Sequence, residues 1–237
     1  MGIITFNNQS SEDIFVVEHP PEYEMAERNY NIVPIPGRNG DLTMDMGSYK
    51  NVNRSYPIAI GAINGNYVAM ANAVSDWLHS ASGYARLEDS YEPDYYKMAM
   101  YSEEKSIDNI LQQAGRATIT FNRMPQRFLK TGDLKTIIAG PQTLTNPTKY
   151  TALPIITVKG NGDGVLHVGD YTVTLTNIIG SIDLNCEIGD AYNGMTNLNM
   201  YVTVANRKFP KLVPGGNLIS FTGSITSVEI VPKWWTI

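Results

Sequence analysis

The chain has 237 residues, 43% of them hydrophobic, and its formal net charge is −5 at neutral pH. This apolar fraction is close to that of ordinary globular domains, so one large or two smaller folded domains are expected and disorder is not favoured. Lysine and arginine form no basic stripe, which argues against binding to nucleic-acid phosphates. No run of ~18 apolar residues predicts a membrane span, and the first residues lack the pattern of a secretory signal.

Short strands and one helix are predicted for the first half of the chain. An apolar stripe with i, i+3, i+4 spacing predicts a helix over residues 65–81, with Trp77 and Leu78 as its main contacts to the core. A helix of this length covers about 22 Å, which is enough to lie across one face of a sheet. The β-prone runs around it are residues 3–6, 14–18, 30–35, 54–63, 84–88, 95–101 and 117–122.

Loop-forming residues cluster between residues 131 and 147, and this cluster indicates a domain boundary near residue 132. Beyond residue 153, short β-prone runs alternate with glycine-rich stretches, a pattern typical of a β-sandwich. The stretch GNGDG, residues 160–164, has strands on both sides. It is predicted to be a hairpin turn, since a phosphate-binding loop needs a helix after it. Gly223 and Ser224 predict another turn between two strands near the chain end.

An acidic and aromatic stretch, residues 87–96, allows three interpretations. Its carboxylates are suited to Ca²⁺, although their spacing is not that of an EF-hand loop. They belong to Glu88, Asp89, Glu92 and Asp94. The stretch is also suited to contact with a partner protein, because aromatic residues are enriched in interfaces. The candidate contact residues are Tyr91, Asp94, Tyr95 and Tyr96. The third interpretation is a solvated hairpin.

The other candidate sites carry little chemistry. Asp183 and Glu187 are spaced like the two carboxylates of a glycoside hydrolase, and Trp234 with Trp235 is suited to a sugar-binding platform. The simpler explanation of the two carboxylates is that acidic residues are common at strand ends. The simpler explanation of the two tryptophans is that they pack within the protein. Cys186 is the single cysteine, which excludes an intrachain disulfide, and it is predicted to be a buried thiol. No catalytic residue, metal site or cofactor is predicted.

Several motifs in a fixed order resemble one protein family. They are PGRNGDLTMDMGSYK (36–50), EPDYYKMAMY (92–101), NPTKYTALPIITVKGNGDG (146–164), SIDLNCEIGDAY (181–192) and FPKLVPGGNLISFTG (209–223), followed by IVPKWW near the chain end. Each motif alone is weak, but their order and spacing together are similar to those of the distal tail proteins (Dit) of long-tailed phages of Gram-positive bacteria. The motifs cover nearly the whole chain, and residues 196–207 match least.

The resemblance implies a mainly β fold with two domains. Residues 1–132 would form a β-sandwich-type, ring-forming domain with one α-helix and an extended arm. Residues 133–237 would form a galectin-like β-sandwich. The sequence leaves open whether the last strand returns to the first domain.

The resemblance also implies a structural role and not an enzymatic one. Six copies would form a ring that joins the tail tube protein to the tail-tip protein, which is of the tail-associated lysin type. Tape-measure, receptor-binding and accessory baseplate proteins are further partners of this kind of hub. The expected location is the distal end of the virion tail, after assembly in the host cytoplasm. No cofactor, membrane or sequence-specific nucleic-acid partner is expected.

Residues 38–50 are the predicted arm between subunits. This stretch is too rich in glycine and polar residues for a core strand, yet its flanks are β-prone, so pairing with the next subunit would satisfy its backbone groups. The candidate contact residues are Arg38, Asn39, Gly40, Asp41, Leu42, Tyr49 and Lys50. The alternatives are a carbohydrate-binding module that contacts the host cell wall, another tail-ring or tube protein, and a hydrolase that uses Asp183 and Glu187.

Overall fold

The structure of the chain is a computed structural model that describes residues 2–60, 67–101 and 115–237. Within these residues most of the regular structure is β and the strands pair in antiparallel fashion, which confirms the predicted mainly β fold. The chain forms two compact units. The first extends to Arg127 and includes Ile237, and the second is Phe128–Thr236.

The elements up to the end of the first unit follow the chain in this order. They are β1 (Ile4–Phe6), β2 (Gln9–Ser10), β3 (Val16–Val17), β4 (Arg28–Val33), β5 (Leu42–Tyr49), β6 (Val52–Ala59), α1 (Tyr67–Leu78), β7 (Ala85–Asp89), β8 (Tyr95–Tyr101) and β9 (Arg116–Leu129). One sheet has the strand order β2-β1-β7-β8-β9-β6-β3, and β4 with β5 forms a separate two-stranded sheet.

The core of the first unit forms where α1 packs on this larger sheet. The predicted apolar stripe is confirmed for the described side chains, since the buried residues of the helix are Met70, Ala71, Val74, Trp77 and Leu78. The Trp77 ring lies 5.0 Å from the ring of Phe15 and 5.7 Å from that of Phe6, and its indole N–H donates to a backbone carbonyl. Trp77 is therefore the central anchor of the helix. Residues 65 and 66, the predicted start of the helix, lie outside the described residues.

The second unit is built from nine strands of very unequal length among the described residues. They are β10 (Thr136–Ile138), β11 (Gln142–Asn146), β12 (Ile155–Val168), β13 (Tyr171–Asn185), β14 (Asp190–Asn193), β15 (Thr196–Asn197), β16 (Val202–Val204), β17 (Gly215–Val231) and β18 (Trp235–Thr236). The strand order is β10-β17-β12-β13-β14-β15, while β11 pairs with the other end of β17 and β16 with the other end of β13.

Two predicted turns in this unit are wrong. Residues 160–164 do not form a hairpin turn but continue strand β12, with a shift of register between Gly162 and Gly164. Gly223 and Ser224 likewise lie inside the continuous strand β17. The physical reason is that glycine permits a bulge or a sharp bend within a strand as well as a turn between two strands.

The glycine-containing parts of β12 and β17 lie opposite each other, and their backbones are in close contact there. A Cβ atom on Gly160 would lie 2.4 Å from the carbonyl oxygen of Ser224, and one on Gly223 would lie 2.5 Å from that of Asp163. Both halves of β12 nevertheless contribute to one core, through Ile156 in the first half and Leu166 in the second. The long strands therefore fold over at this glycine corner (residues 160–164 and 223–225), and their two halves enclose the core as a β-sandwich.

The single cysteine lies within that core. Cys186 is buried, as predicted, and burial raises the pKa of its thiol to about 12. A thiol with so high a pKa is almost wholly protonated at neutral pH, and the thiolate is the reactive form. The structure therefore gives Cys186 a packing role.

Candidate assembly interface

The β4–β5 hairpin (residues 28–49) is the most exposed regular structure of the first unit. Its two strands pair with each other, in a register that places Ile32 opposite Thr43 and Val33 opposite Leu42. At its root, Arg28 pairs with Asp45 at 2.6 Å between Nη1 and Oδ2. The predicted arm, residues 38–50, covers the second half of the loop between the two strands (residues 34–41), all of β5 and Lys50.

Apolar side chains project from both faces of the hairpin. Ile32 is 57% exposed and Met44 is 51% exposed, and they lie on opposite faces because Met44 pairs with Asn31, the neighbour of Ile32. Further exposed apolar residues in or beside the hairpin are Tyr30, Val33, Ile35, Leu42 and Met46. A two-stranded hairpin without a core is marginally stable in water, and exposed apolar patches mark interaction sites. The hairpin is thus the strongest candidate interface among the described residues.

A buried ionic network lies in the same unit. Lys97 is 1% exposed, and its ammonium contacts Asp89 at 2.9 Å and also Glu92. Glu92 accepts a second ion pair from Arg127 at 2.6 Å, and the hydroxyl of Tyr56 donates to Asp89. Such a network is stable only if every charge keeps its partner, since an isolated charge is very costly to bury.

The pKa values of both carboxyls follow from this pairing. Burial by itself would raise the pKa of Asp89, but the Lys97 ammonium and the hydrogen bonds from Lys97 and Tyr56 lower it below its ordinary value. Burial opposes the same change at Glu92, whose pKa is lowered by Lys97 and Arg127. Both groups are therefore held as carboxylates at neutral pH.

The four predicted contact residues differ in how far their side chains are exposed. Tyr96 is only 5% exposed, with the guanidinium of Arg86 3.7 Å above its ring, so its ring packs within its own unit. Tyr91 and Tyr95 are partly buried, while Asp94 is exposed. Sequence reasoning included Tyr96 wrongly because alternation along β8 is irregular: two consecutive residues, Tyr96 and Lys97, are both buried. Partner contact through Tyr91, Asp94 and Tyr95 stays a prediction.

Two of the four carboxylates suited to Ca²⁺ are already in ion pairs within the chain. The carboxylates of Asp89 and Glu92 are occupied by Lys97 and Arg127. No group of three or more potential metal-ligating side chains occurs in the part of the chain that the structure describes. The signal that sequence reasoning missed is Lys97, a cation within an apolar strand shortly after two carboxylates.

A segment without regular structure leads into the hairpin and is held by two buried arginines. Arg54 donates to the carbonyl of Glu22, and Arg123 donates to that of Glu24 at 3.3 Å. Burial and the nearby Arg54 lower the pKa of Arg123, whereas burial raises the pKa of Glu24 against the opposing effect of both arginines. These arginines, which sequence reasoning did not single out, fix the direction in which the chain enters the hairpin.

The remaining candidates of the second unit are the two tryptophans and the carboxylates Asp183 and Glu187. Trp234 is buried, and Trp235 is partly buried and stacks one face on Tyr150 at 4.5 Å between ring centroids. Asp183 accepts a hydrogen bond from Thr157, and Glu187 lies exposed in a turn. Within the described residues, no helix has both the length and the apolar character needed to cross a bilayer.

No protein-family model and no curated protein matches the sequence. A solved structure does match. It is the crystal structure of the SPP1 Dit (gp 19.1) protein, described as a paradigm of the hub adsorption apparatus in phages that infect Gram-positive bacteria. The match covers 100% of both chains with a TM-score of 0.74 and 12% sequence identity. This chain has the fold of a phage distal tail protein. The predicted likeness to Dit proteins is thereby confirmed at the level of the fold.

Proposed function

We propose that this chain is a distal tail protein, a structural hub that joins a phage tail tube to the host-adsorption apparatus. The observation that carries the proposal is the likeness to the Dit fold, which extends over the full length of both chains and therefore includes both units. Fold alone does not define function. The ordered motifs of the sequence and the exposed hairpin are two further observations that agree with this role.

The proposed assembly is a ring of six copies. A contact between two different surfaces of the same protein is heterologous, and it closes a ring when the rotation between neighbours is right. The β4–β5 hairpin supplies one such surface, since it exposes apolar side chains on both faces and, among the described strands, pairs with no third strand at either outer edge. Pairing of the hairpin with the next subunit would cover those faces and satisfy its backbone groups.

The two domains would divide the work of the hub. Residues 1–132 would form the ring around the tail channel, and residues 133–237 would extend outward as a docking platform. The tail tube protein and the tail-tip protein would bind opposite faces of the ring, with tape-measure, receptor-binding or accessory baseplate proteins as additional partners. The protein would act at the distal end of the virion tail after assembly in the host cytoplasm, and its role involves no catalysis.

The test is the mass and shape of the purified full-length protein. Light scattering is expected to give six times the 26.2 kDa of one chain, and negative-stain images are expected to show closed six-fold rings with a central hole. Open filaments would favour a tube protein instead. A monomer that persists at high concentration would contradict a hub that forms its ring without other proteins.

A further inference from the structure

A hollow of about 380 Å³ lies on the second unit beside the middle of strand β13. One edge of β13 pairs with β16 up to Leu175 and with β14 from Asp183, and no described strand pairs with that edge in between. The chain from the end of β14 to the start of β16 lines the other side of the hollow. This space, called the β13 hollow below, therefore fills a gap in the sheet.

The gap exists because β13 bends there. Asn177 and Gly180 both have a positive φ, of 51° and 78°, which turns the backbone away from an extended ladder. Side chains of β12 hold the bend, since the backbone N–H of Asn177 donates to Asp163 at 2.8 Å and that of Gly180 donates to Asn161 at 3.1 Å. The hollow is thus preformed, as small-molecule sites usually are.

Open hydrogen-bonding groups line the β13 hollow. Asn177 and Thr196 are exposed and Tyr201 is partly exposed, and their side chains make no hydrogen bond within the part of the chain that the structure describes. Asn193 donates through Nδ2 to the carbonyl of Ser181 at 2.9 Å, which leaves its Oδ1 as an acceptor. Amide and hydroxyl groups can both donate and accept, and these are accessible to a ligand from solvent.

An apolar surface lies next to these polar groups. Ile179 is 74% exposed, whereas its neighbour Ile178 is buried in the core of the second unit. Leu198, on the other side of the hollow, is partly buried. Ile179 therefore offers an apolar side chain at the rim of the hollow.

The chemistry of the lining limits the class of ligand. Among the described residues that line the hollow, none carries a formal charge. A charged ligand would lose water here without gaining an opposite charge, so it is disfavoured. A hexose suits such a lining, because its hydroxyl groups both donate and accept while the C–H groups of its ring form apolar faces. The volume of the hollow also lies within the range of about 300–1,000 Å³ that is typical of small-molecule sites.

We propose that the β13 hollow binds a hexose unit of an uncharged saccharide. Asn177, Thr196 and Tyr201 hydrogen-bond to the hydroxyl groups of the sugar, and the side chain of Ile179 lies against a C–H face of its ring. Because the rim is exposed, the neighbouring units of a saccharide chain can remain in solvent. The inference concerns the second unit alone and does not depend on the proposed ring.

Saturation-transfer NMR with the full-length protein tests the binding. The probes are glucose, galactose and N-acetylglucosamine, with glucuronate as a charged counterpart. We expect the neutral sugars to bind with dissociation constants of about 1–10 mM, which is the range that a ligand of this size reaches in an open site. Glucuronate should bind at least about tenfold more weakly. If none of the neutral sugars shows saturation transfer, the proposal is wrong.

A charge placed at the rim tests the location of the site. Ile179→Asp removes the apolar contact and puts a carboxylate into the neutral lining, so it should weaken the binding of neutral sugars at least about tenfold. Ile188→Asp is the matched control, since Ile188 is also largely exposed, at 67%, and does not line the hollow. It should leave the dissociation constants unchanged. Equal urea midpoints for the two variants would show that both remain folded.

Removal of hydroxyl groups tests the hydrogen bonds. Thr196→Val combined with Tyr201→Phe keeps the shape of the lining but removes two groups that bind the sugar, and it should weaken binding at least about fivefold. Thr145→Val combined with Tyr171→Phe makes the same two changes outside the hollow and should have no effect on binding.

The other outcomes are also decisive. Binding that is equally strong in Ile179→Asp and Ile188→Asp would place the sugar elsewhere on the protein and overturn the proposal. A capped triserine peptide that binds the hollow where the sugars do not would assign the site to a protein segment instead. Light scattering on the same samples keeps the two proposals apart. Rings without sugar binding would remove only this inference, and sugar binding without rings would remove only the hub.

Discussion

Two glycine-rich stretches of this chain look alike in sequence and behave differently in the fold. Residues 36–47 form the exposed tip and one strand of a hairpin, and a Cβ atom on Gly37 or Gly40 would meet nothing within 4 Å. Residues 160–164 are the corner of a sandwich, where a Cβ atom on Gly160 would overlap the backbone of the opposite strand. Glycine marks an unusual backbone in both places. Its surroundings decide whether that backbone is exposed to solvent or packed against another strand.

This comparison predicts that the buried regions supply stability and the exposed hairpin supplies assembly. The variants below test it, in order of their expected effect on the free energy of unfolding. The first two concern the unit that carries the hairpin, the third concerns the glycine corner, and the fourth concerns the hairpin itself.

Trp77→Ala should cause the largest loss of stability. The ring is almost wholly buried among aromatic neighbours, and removal of a large buried side chain costs about 3–5 kcal/mol. Urea unfolding of the purified variant measures the loss. Trp77→Phe, which keeps an aromatic ring in the same place, should lose clearly less. If the urea midpoint of Trp77→Ala equals that of the unmodified chain, Trp77 does not anchor the helix in the core.

Lys97→Met should cost about 3 kcal/mol at pH 7, because it leaves two carboxylates in a buried site without their shared ammonium. The pH dependence gives the sharper test. In the unmodified chain the lowered pKa values of Asp89 and Glu92 contribute stability that is complete above about pH 4.3 and is lost as the pH falls further.

In the Lys97→Met variant the sign should reverse. Without the ammonium, burial dominates and raises the pKa of Asp89, so the folded state takes up a proton at a higher pH than the unfolded state does. The variant should therefore gain stability as the pH falls from about 7 to about 5, a range in which the unmodified chain changes little. If the free energy of unfolding changed with pH in the same way for both proteins, Lys97 would not be what holds Asp89 as a carboxylate.

Gly160→Ala should cost about 1–3 kcal/mol, since its new methyl group would lie 2.4 Å from a backbone oxygen that cannot move aside as a side chain would. Gly140→Ala is the matched control, because a Cβ atom there meets nothing and its φ is not in the left-handed region. Its effect should stay within about 0.5 kcal/mol. Equal midpoints for both variants in urea would show that the corner has no close approach.

Ile32→Asp combined with Met44→Asp should change stability by less than about 0.5 kcal/mol, because both side chains are largely exposed in the single chain. The same variant should lose the ring, since each substitution puts a charge on one apolar face of the hairpin. Light scattering measures the mass. Met195→Asp combined with Met200→Asp makes the same change at exposed residues of the second unit and should leave the ring intact.

Local patterns were enough to predict several elements. The stripe on α1 and the buried thiol at Cys186 depend on apolar spacing and on a lone cysteine, which are properties of a short stretch. The resemblance to Dit proteins depended on the order of short motifs, and the shared fold bears it out even though only 12% of the residues are identical. The role of residues 38–50 between subunits stays a prediction.

Contacts that depend on how strands pair could not be predicted in this way. Lys97 meets Asp89 through pairing between neighbouring strands, and Arg123 reaches Glu24 across 99 positions of sequence. Tyr96 was predicted to contact a partner because aromatic residues are enriched in interfaces, whereas the fold places its ring beneath Arg86. Which side chains meet across paired strands depends on the strand register, which a local pattern does not contain.

The sequence by itself therefore determined the β class, the one apolar helix and the likeness to distal tail proteins, because these depend on periodicity and on short motifs in order. Only the tertiary structure decided that residues 160–164 bend within a strand and that Arg54 and Arg123 hold the segment that leads into the hairpin. The physical reason is the same in each case. A residue's propensity acts locally, but its burial, its charge partners and the space around it depend on strands that are far away in the chain.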